Sequence, residues 1–559
     1  MEVVAFLGLC FAVFLYVMIR GSIDEKRAKQ KYEAYLRAQY GQFPDREYSE
    51  EDFENITRLF AHNPGEEYLD DITWNDLDMN RIFGLMNHTQ SSSGAEYLYA
   101  MLRKPCMNKK EVGEREQHIS YFQKETEERV RLQMKLHELG KSGKYSIFDY
   151  LEYLDTLGEC SNRKHICMLL ALLIAIAIIF VETSLGVVLL IAVASVNMVS
   201  YLKEKNTIRP YTTSLAYIMR LLTCGNAILE ESLQGMPEYK SRLQNAVARL
   251  DFIRKKYRYV VQLNTTSGSL AEIVIEYINM LTHIDVMQFN RMVRMVNDNK
   301  EEIYELVEAI GYVDAVISIG AFRASLPHYC EPKLTEGKEV VLHIEEGYHP
   351  VLSNPIVNSF SQNRGMLVTG SNASGKSTFL KMIAVNAILA QTIHTCAATA
   401  YEGGYYKIYS SMALRDDLGA GDSYYIVEIK ALKRVMDATE NMGDNPLLCF
   451  IDEVLRGTNT VERIAASTQI LESLAKQGIY CFAATHDIEL THLLEDKYDN
   501  YHFEEEVKDG DVLFSYCLKN GRAQSRNAIQ LLKVIGFSDE ITEHAEDRAQ
   551  RFLRTGQWS

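Results

Sequence analysis

The chain has 559 residues, a net charge of −16 and an apolar fraction of 47%. That length predicts two or three domains with ample cores. The acidic balance argues against a surface built for non-specific nucleic-acid binding, which needs basic stripes, though it leaves room for a local basic face. Ten cysteines are scattered with no C-x-x-C pair, so neither a zinc site nor a redox motif is indicated and a reducing cytosol fits the soluble parts.

Residues 3–19 form an uninterrupted apolar run, preceded by Glu2 and followed by Arg20, Lys26, Arg27, Lys29 and Lys31. A cleaved signal peptide carries basic residues before its apolar run. The flanks here are reversed, which predicts a membrane anchor over residues 1–21 with its N-terminus outside. A charged helical stalk and a mostly helical region follow, to residue 165. Within it, residues 87–94 read as a loop or cap leading into a helix from Ala95 to Arg103, which ends near Pro105.

Two further apolar blocks, 166–181 and 185–202, are separated only by Glu182, Thr183 and Ser184. They predict a helical hairpin over residues 166–202. Arg163 and Lys164 before it, and Lys203 and Lys205 after it, place both of its ends in the cytoplasm. The three spans agree on a multi-pass protein of the plasma membrane with its bulk in the cytoplasm. Residues 203–330 then show long helical patterns. Met280, Ile284, Met287, Phe289, Met292 and Met295 read as a core stripe of one long helix.

From residue 335 to 559 strands and helices alternate, which predicts a parallel α/β sheet. Residues 370–378 read Gly-Ser-Asn-Ala-Ser-Gly-Lys-Ser-Thr and fit the phosphate-binding loop G-x-x-x-x-G-K-[ST]. An apolar strand, 366–369, precedes it and a helix follows. Gly370 and Gly375 permit the tight turn, and Lys376 reaches the outer phosphates. The Ser377 hydroxyl is a Mg²⁺ ligand. The candidate nucleotide-binding residues are Gly370, Ser371, Asn372, Ala373, Ser374, Gly375, Lys376, Ser377 and Thr378. Residues 447–453 form a buried strand ending in Asp452 and Glu453. Asp452 joins Ser377 as candidate metal ligand, and Glu453 is placed to orient or deprotonate the attacking water. Residues 479–486 form the next strand and end in His486. Glu453, His486 and Lys376 are the candidate catalytic residues.

These motifs, with Tyr348-His349-Pro350-Val351, Arg415-Asp416-Asp417-Leu418 and residues 423–428, resemble the ATPase domain of the MutS family, a branch of the ABC-type ATPases. The resemblance covers about residues 335–550. Residues 82–105 and 203–325 resemble, less specifically, the family's helical core and lever. The fold it implies is an α/β P-loop (ABC-type) ATPase domain preceded by an all-α lever and core region, here with three transmembrane helices. The resemblance implies ATP and Mg²⁺ as ligands and a homodimer, with Ser423 contacting the γ-phosphate across the interface. Ser371, Ala373 and Ser374 replace residues usual in the family's loop. Leu455 stands where the family has glycine, and Asp487 where it has an aromatic residue.

The family's mismatch-reading domain has no room before residue 50, so mismatch recognition of the usual kind is not expected. The sequence leaves two readings. One is a membrane-anchored ATPase whose helical arms move with ATP and bind DNA in a repair-linked role. The other is a nucleotide-gated membrane scaffold for an unidentified protein partner. Net charge gives the DNA reading no support.

Overall fold

The computed structural model describes residues 2–143, 145–158, 160–262, 270–371, 374–412, 424–455, 458–508, 511–523, 529, 532 and 536–555. Side chains of residues 2–14, 17, 257–262, 270–272, 424, 506–508, 511–512 and 553 lie outside the description. Two compact units emerge. One comprises Met1–Asn63, Asn87–Ala100 and Gln117–Ala321; the other Pro64–Met86, Met101–Glu116 and Phe322–Ser559.

The second unit holds the sheets. Strands β1 (Lys333–Thr335), β2 (Leu342–Gly347), β3 (Asn358–Gln362), β4 (Met366–Thr369) and β5 (Ala400–Gly404) come first. They are followed by β6 (Lys407–Ser411), β7 (Leu447–Asp452), β8 (Ile479–Thr485), β9 (Asp499–Lys508) and β10 (Asp511–Asn520). A small sheet runs β1-β5-β2-β3, and the main sheet runs β10-β9-β4-β8-β7-β6. The main sheet is parallel except for the β9–β10 hairpin. Every residue of β4 and β8 is buried. That is why these strands read as unbroken apolar runs rather than alternating ones.

Residues 64–86 and 101–116 belong to this unit, whereas the sequence reading left them with the helical region. Polar contacts explain the placement. The helix Asp71–Asp76 docks on β6, where Asp76 Oδ2 accepts from Ser410 Oγ at 2.7 Å and from Met412 N at 2.9 Å.

The first unit is helical, with its core drawn from Leu98, Phe122, Leu151, Ile218, Leu250, Met292 and Ile310, all buried. Residues 87–91 form a loop, shorter than the 87–94 expected, because the helix begins earlier and spans Ser92–Arg103. Asp314 fixes the loop by accepting from Gln90 N at 3.0 Å, Ser91 N at 2.8 Å and Ser91 Oγ at 2.6 Å. A Cβ at position 94 would stand 2.2 Å from the Asp314 carboxylate, so Gly94 is what lets the helix close on it. The methionine stripe does not lie on one helix. His283, at φ +56°, breaks it into Leu270–Thr282 and Ile284–Asp298. Met287, Phe289 and Met292 are buried, as a core stripe requires.

Of the three predicted spans, one is matched among the described residues by a helical run long and apolar enough to cross a membrane. This is Thr183–Leu229, and 17% of its most apolar window is buried. The helix before it, Arg163–Ile179, is apolar and has 17 residues, at the short end of what a span needs. Residues 3–19 fall within the helix Glu2–Gln39, where most of their side chains are undescribed. Three transmembrane helices are therefore not supported by the helices alone. The two helices pair as an antiparallel hairpin with outward apolar side chains. Phe180 and Val181 at its turn are each 87% exposed.

Candidate functional site

The site is built where β4, β7 and β8 end together. Register places Thr369 beside Thr485 and Asp452 beside Ala484, so the residues that follow each strand emerge at one edge. The loop after β4 turns through Gly370 (φ +151°) and Gly375 (φ +103°) into the helix Lys376–Ile393. A Cβ on Gly370 would lie 2.8 Å from Ser374 Oγ and 3.0 Å from Phe503 O, which no flexible side-chain end could relieve on the backbone side. The helix N-terminus carries free backbone N–H groups and a positive dipole end, suited to phosphate.

Lys376 Nζ donates to Gly370 O at 2.9 Å and Ser371 O at 2.8 Å, and stands 3.4 Å from His486 Nε2. Ser377 Oγ donates to Asp452 Oδ2 at 2.6 Å. His486 Nε2 and Glu453 Oε1 are 2.5 Å apart. The structure thus brings together Lys376, Ser377, Asp452, Glu453 and His486. Gly370, Ser371, Ser374, Gly375 and Thr378 belong to the same loop and helix start. Asn372, Ala373 and Ser423 lie outside the described residues, as do Arg415 to Leu418.

The cluster opens on a cavity of about 610 Å³ lined by Ser374, Gly375, Lys376, Ser377, Asp452 and Glu453. Its wall also includes Ile356, in the loop before β3 and within residues 355–360, where the sequence places the contact to the base, and Tyr516 on β10, which the sequence reading did not assign. Tyr516 sits at a bulge in the β9–β10 pairing with φ +52°. Asn358 pins that bulge, donating from Nδ2 to Tyr516 O at 3.1 Å and accepting from Leu518 N at 2.7 Å. The bulge turns the tyrosine over the phosphate loop, its Cδ1 3.0 Å from where a Gly375 Cβ would be. His349, also on the wall, is buried, and burial holds its pKa down to about 4, so it is neutral at physiological pH. Glu505 on β9 accepts from Ser371 Oγ. No linear motif marks Tyr516 or Glu505; only the sheet order, with β9 beside β4, makes them neighbours of the loop.

The two departures after the strands have local accounts. Leu455 is 6% exposed and packs into the core beside β7 and β8. Asp487 pairs with Arg463 at 2.9 and 2.6 Å, so its charge is answered within the domain.

Mg²⁺ fits the residues present. Ser377 and Asp452 offer two hard oxygens side by side at the start of the phosphate-binding helix. The buried Ser374 hydroxyl has no partner among the described residues, as expected of a group that faces a ligand.

A parallel sheet with this loop, acid pair and histidine at one edge defines a nucleotide-binding domain of the P-loop class. Residues 366–553 match the family model of MutS domain V, and the chain is similar over about half its length to MutS proteins. The DNA mismatch repair protein MutS of Thermotoga maritima is 29% identical over 275 residues, 47% of this chain and 33% of that protein. MutS protein homolog 4 of Homo sapiens is 29% identical over 298 residues, 50% of this chain and 31% of its own length. The DNA mismatch repair protein MutS of Methanosarcina barkeri is 27% identical over 274 residues. The chain spans about a third of the length of the curated relatives it matches.

Proposed function

We propose that the protein is a membrane-anchored ATPase of the MutS type that binds and hydrolyses ATP at a dimer interface to move its helical arms. The observation that carries this is the connected cluster Lys376, Ser377–Asp452 and Glu453–His486 around the 610 Å³ cavity. Lys376 neutralises the outer phosphates, and Ser377 and Asp452 would hold Mg²⁺, which would supply charge neutralisation at the phosphates when bound. Glu453 orients the attacking water and accepts its proton, with His486 fixing the carboxylate. Ile356 and Tyr516 provide apolar surface for the base. The exposed apolar hairpin helices, Arg163–Ile179 and Thr183–Ile208, support a membrane insertion, to which residues 3–19 add an anchor.

The test is ATP turnover and ATP binding by detergent-purified protein and Glu453→Gln. Turnover should fall by about 10²-fold or more while binding persists; undiminished turnover would remove Glu453 from the reaction. The relatives' names point to DNA as the ligand of the arms. Titrating labelled duplex, mismatched and branched DNA across salt, with and without ATP, separates this from the scaffold reading. Salt-sensitive binding that responds to nucleotide supports DNA. No binding at low salt, with turnover intact, supports a protein partner.

A further inference from the structure

Cys330 and Cys396 belong to the sheet-bearing unit, and neither lines the nucleotide cavity. They lie outside the ten strands yet form an isolated antiparallel bridge with each other. Cys330 N donates to Cys396 O and Cys396 N donates to Cys330 O, both at 3.0 Å. Residues that exchange both bonds in this way stand directly opposite, with Cα atoms about 5.5 Å apart and side chains on one face. That separation falls within the roughly 4.4–6.8 Å that a disulfide spans. Both residues are free thiols here, within hydrogen-bond reach of each other.

Both segments are held in this register by bonds of their own. Asn386, on the phosphate-binding helix, accepts from Ala397 N at 2.6 Å, and Ala397 O accepts from Tyr348 N at 2.9 Å. The Tyr348 hydroxyl in turn donates to His328 O at 2.7 Å, two residues before Cys330. The two sulfurs differ in access. Cys330 is half-buried beside the exposed Glu331, whereas Cys396 is 0% exposed. The hydrogen bond from Cys396 lowers the Cys330 pKa, against the opposing effects of burial and of Glu331. Burial, and then the contact with Cys330, raise the Cys396 thiol well above its ordinary value. One thiol is thus reachable and disposed to ionise, and its partner is sheltered behind it. Cys449 and Cys481 also face each other, in register on β7 and β8, but both are 0% exposed and closed to any reagent.

We infer that Cys330 and Cys396 form a reversible thiol–disulfide pair, with Cys330 as the attacking thiol and a low-molecular-weight disulfide of the glutathione class as oxidant. The Cys330 thiolate attacks one sulfur of the oxidant. A mixed disulfide forms, and one glutathione thiolate departs and takes up the proton that Cys330 released. Cys396 then attacks the Cys330 sulfur, the mixed bond breaks, and the second glutathione leaves with the Cys396 proton. Two protein thiols are oxidised to one disulfide, and one glutathione disulfide is reduced to two thiols. The new bond closes a covalent loop that contains β1 to β4, the glycine-rich loop and the helix Lys376–Ile393. Restraining that stretch in the unfolded chain makes the oxidised domain harder to unfold. No C-x-x-C spacing announces the pair; only the bridge makes the two residues neighbours.

The experiment is a peptide map. The full-length, detergent-purified protein is held folded at rising ratios of oxidised to reduced glutathione, quenched with acid, alkylated and digested without reduction. The unaltered chain is compared with Cys330→Ser and Cys396→Ser. The unaltered chain should yield a peptide linking Cys330 to Cys396, which grows with the ratio and disappears on adding dithiothreitol. Cys396→Ser should trap glutathione on Cys330, because no second thiol resolves the mixed disulfide. Cys330→Ser should leave Cys396 unmodified, and Cys449 and Cys481 should stay unlinked throughout. An unaltered chain that carries glutathione on Cys330 while Cys396 remains free would overturn the proposal. So would a Cys396 adduct in Cys330→Ser as abundant as the Cys330 adduct in Cys396→Ser. Denaturant unfolding supplies a second readout. The linked protein should unfold at a higher midpoint than its reduced form, whereas Cys330→Ser should unfold alike in both buffers. Equal midpoints for the linked and reduced protein would overturn the stabilising role.

Discussion

Arg323 Nη1 donates to Glu116 Oε1 at 2.9 Å, and the same guanidinium closes the far end of the phosphate-binding helix. Its Nε donates to Thr395 Oγ1 at 2.7 Å and its Nη2 to His394 O at 2.8 Å and Ile393 O at 3.3 Å. Arg115 adds a bond to Thr392 O. The last carbonyls of the helix Lys376–Ile393 are thus capped by two cations, as its orphan acceptors and negative dipole end require. One end of this helix follows the glycine-rich loop at the cavity; the other is held by Arg323, from the last turn of the helix Lys300–Ser325.

Removing that cap should be costly. The Arg323 side chain is fully buried and Glu116 partly so. Arg323→Met leaves Glu116 with His394 Nδ1, at 2.9 Å, and takes the cap from the helix-end carbonyls, and the expected loss is about 3 kcal/mol in denaturant unfolding. Adding Glu116→Gln should return part of it, because the charge that lost its guanidinium is gone. Arg323→Lys keeps the charge but cannot reproduce the planar fork, so it should fall between. Additive losses in the double variant would show that the two residues do not act as a pair.

Leu455 sets two effects against each other. Its φ of +59° belongs to the left-handed region, where glycine is at ease and a leucine costs roughly 1 kcal/mol. The family's glycine would remove that strain. Leu455 is also buried in the core beside β7 and β8, and deleting such a side chain costs about 2–5 kcal/mol. Burial outweighs strain, so Leu455→Gly should lower stability by about 1–3 kcal/mol. A more stable Leu455→Gly protein, measured by unfolding, would mean that the side chain contributes less packing than its burial implies.

Tyr516 should set nucleotide affinity without touching the chemistry. It overhangs the phosphate loop from a pinned bulge and is 43% exposed, so its removal should not disturb the core. Tyr516→Ala should weaken ATP binding by about 1 kcal/mol, roughly fivefold, with turnover at saturation little changed. Tyr516→Phe should bind as the unaltered protein does. Fluorescent-nucleotide titration distinguishes them; equal affinity for all three would place the base elsewhere in the cavity.

Much of this site was legible because its residues follow strands. Asp452, Glu453 and His486 each sit just past an apolar run, and a parallel sheet brings such ends to one edge. Tyr516 was not legible, since it reaches the cavity through a bulge that leaves no periodic mark, whereas for Ile356 the sequence marked only the surrounding stretch, 355–360. The break at His283 was hidden for a similar reason. Apolar spacing continues across it, and a single left-handed residue ends the helix without glycine or proline. The assignment of residues 64–86 and 101–116 to the sheet-bearing unit depends on contacts such as Asp76 with Ser410, more than 300 positions apart.

Glu96 gives the helical unit a defined response to pH. It is 2% exposed, and burial raises its pKa to about 8, offset in part by a hydrogen bond from Ser146 Oγ at 2.9 Å. The folded protein keeps this proton to about pH 8, whereas the unfolded chain releases it near its ordinary value of 4.5. Between those limits the folded state binds more protons, so this group's contribution to stability is full below pH 4.5 and is lost as pH rises toward 8. The slope is at most about 1.4 kcal/mol per pH unit. Glu96→Gln keeps an acceptor for Ser146 but cannot ionise. The variant should therefore gain on the unaltered protein steadily as pH rises from 5 to 8 and run parallel to it above that. Melting temperatures of the two proteins across this range decide the matter. A constant difference would mean that Glu96 ionises within the folded state at its ordinary pKa.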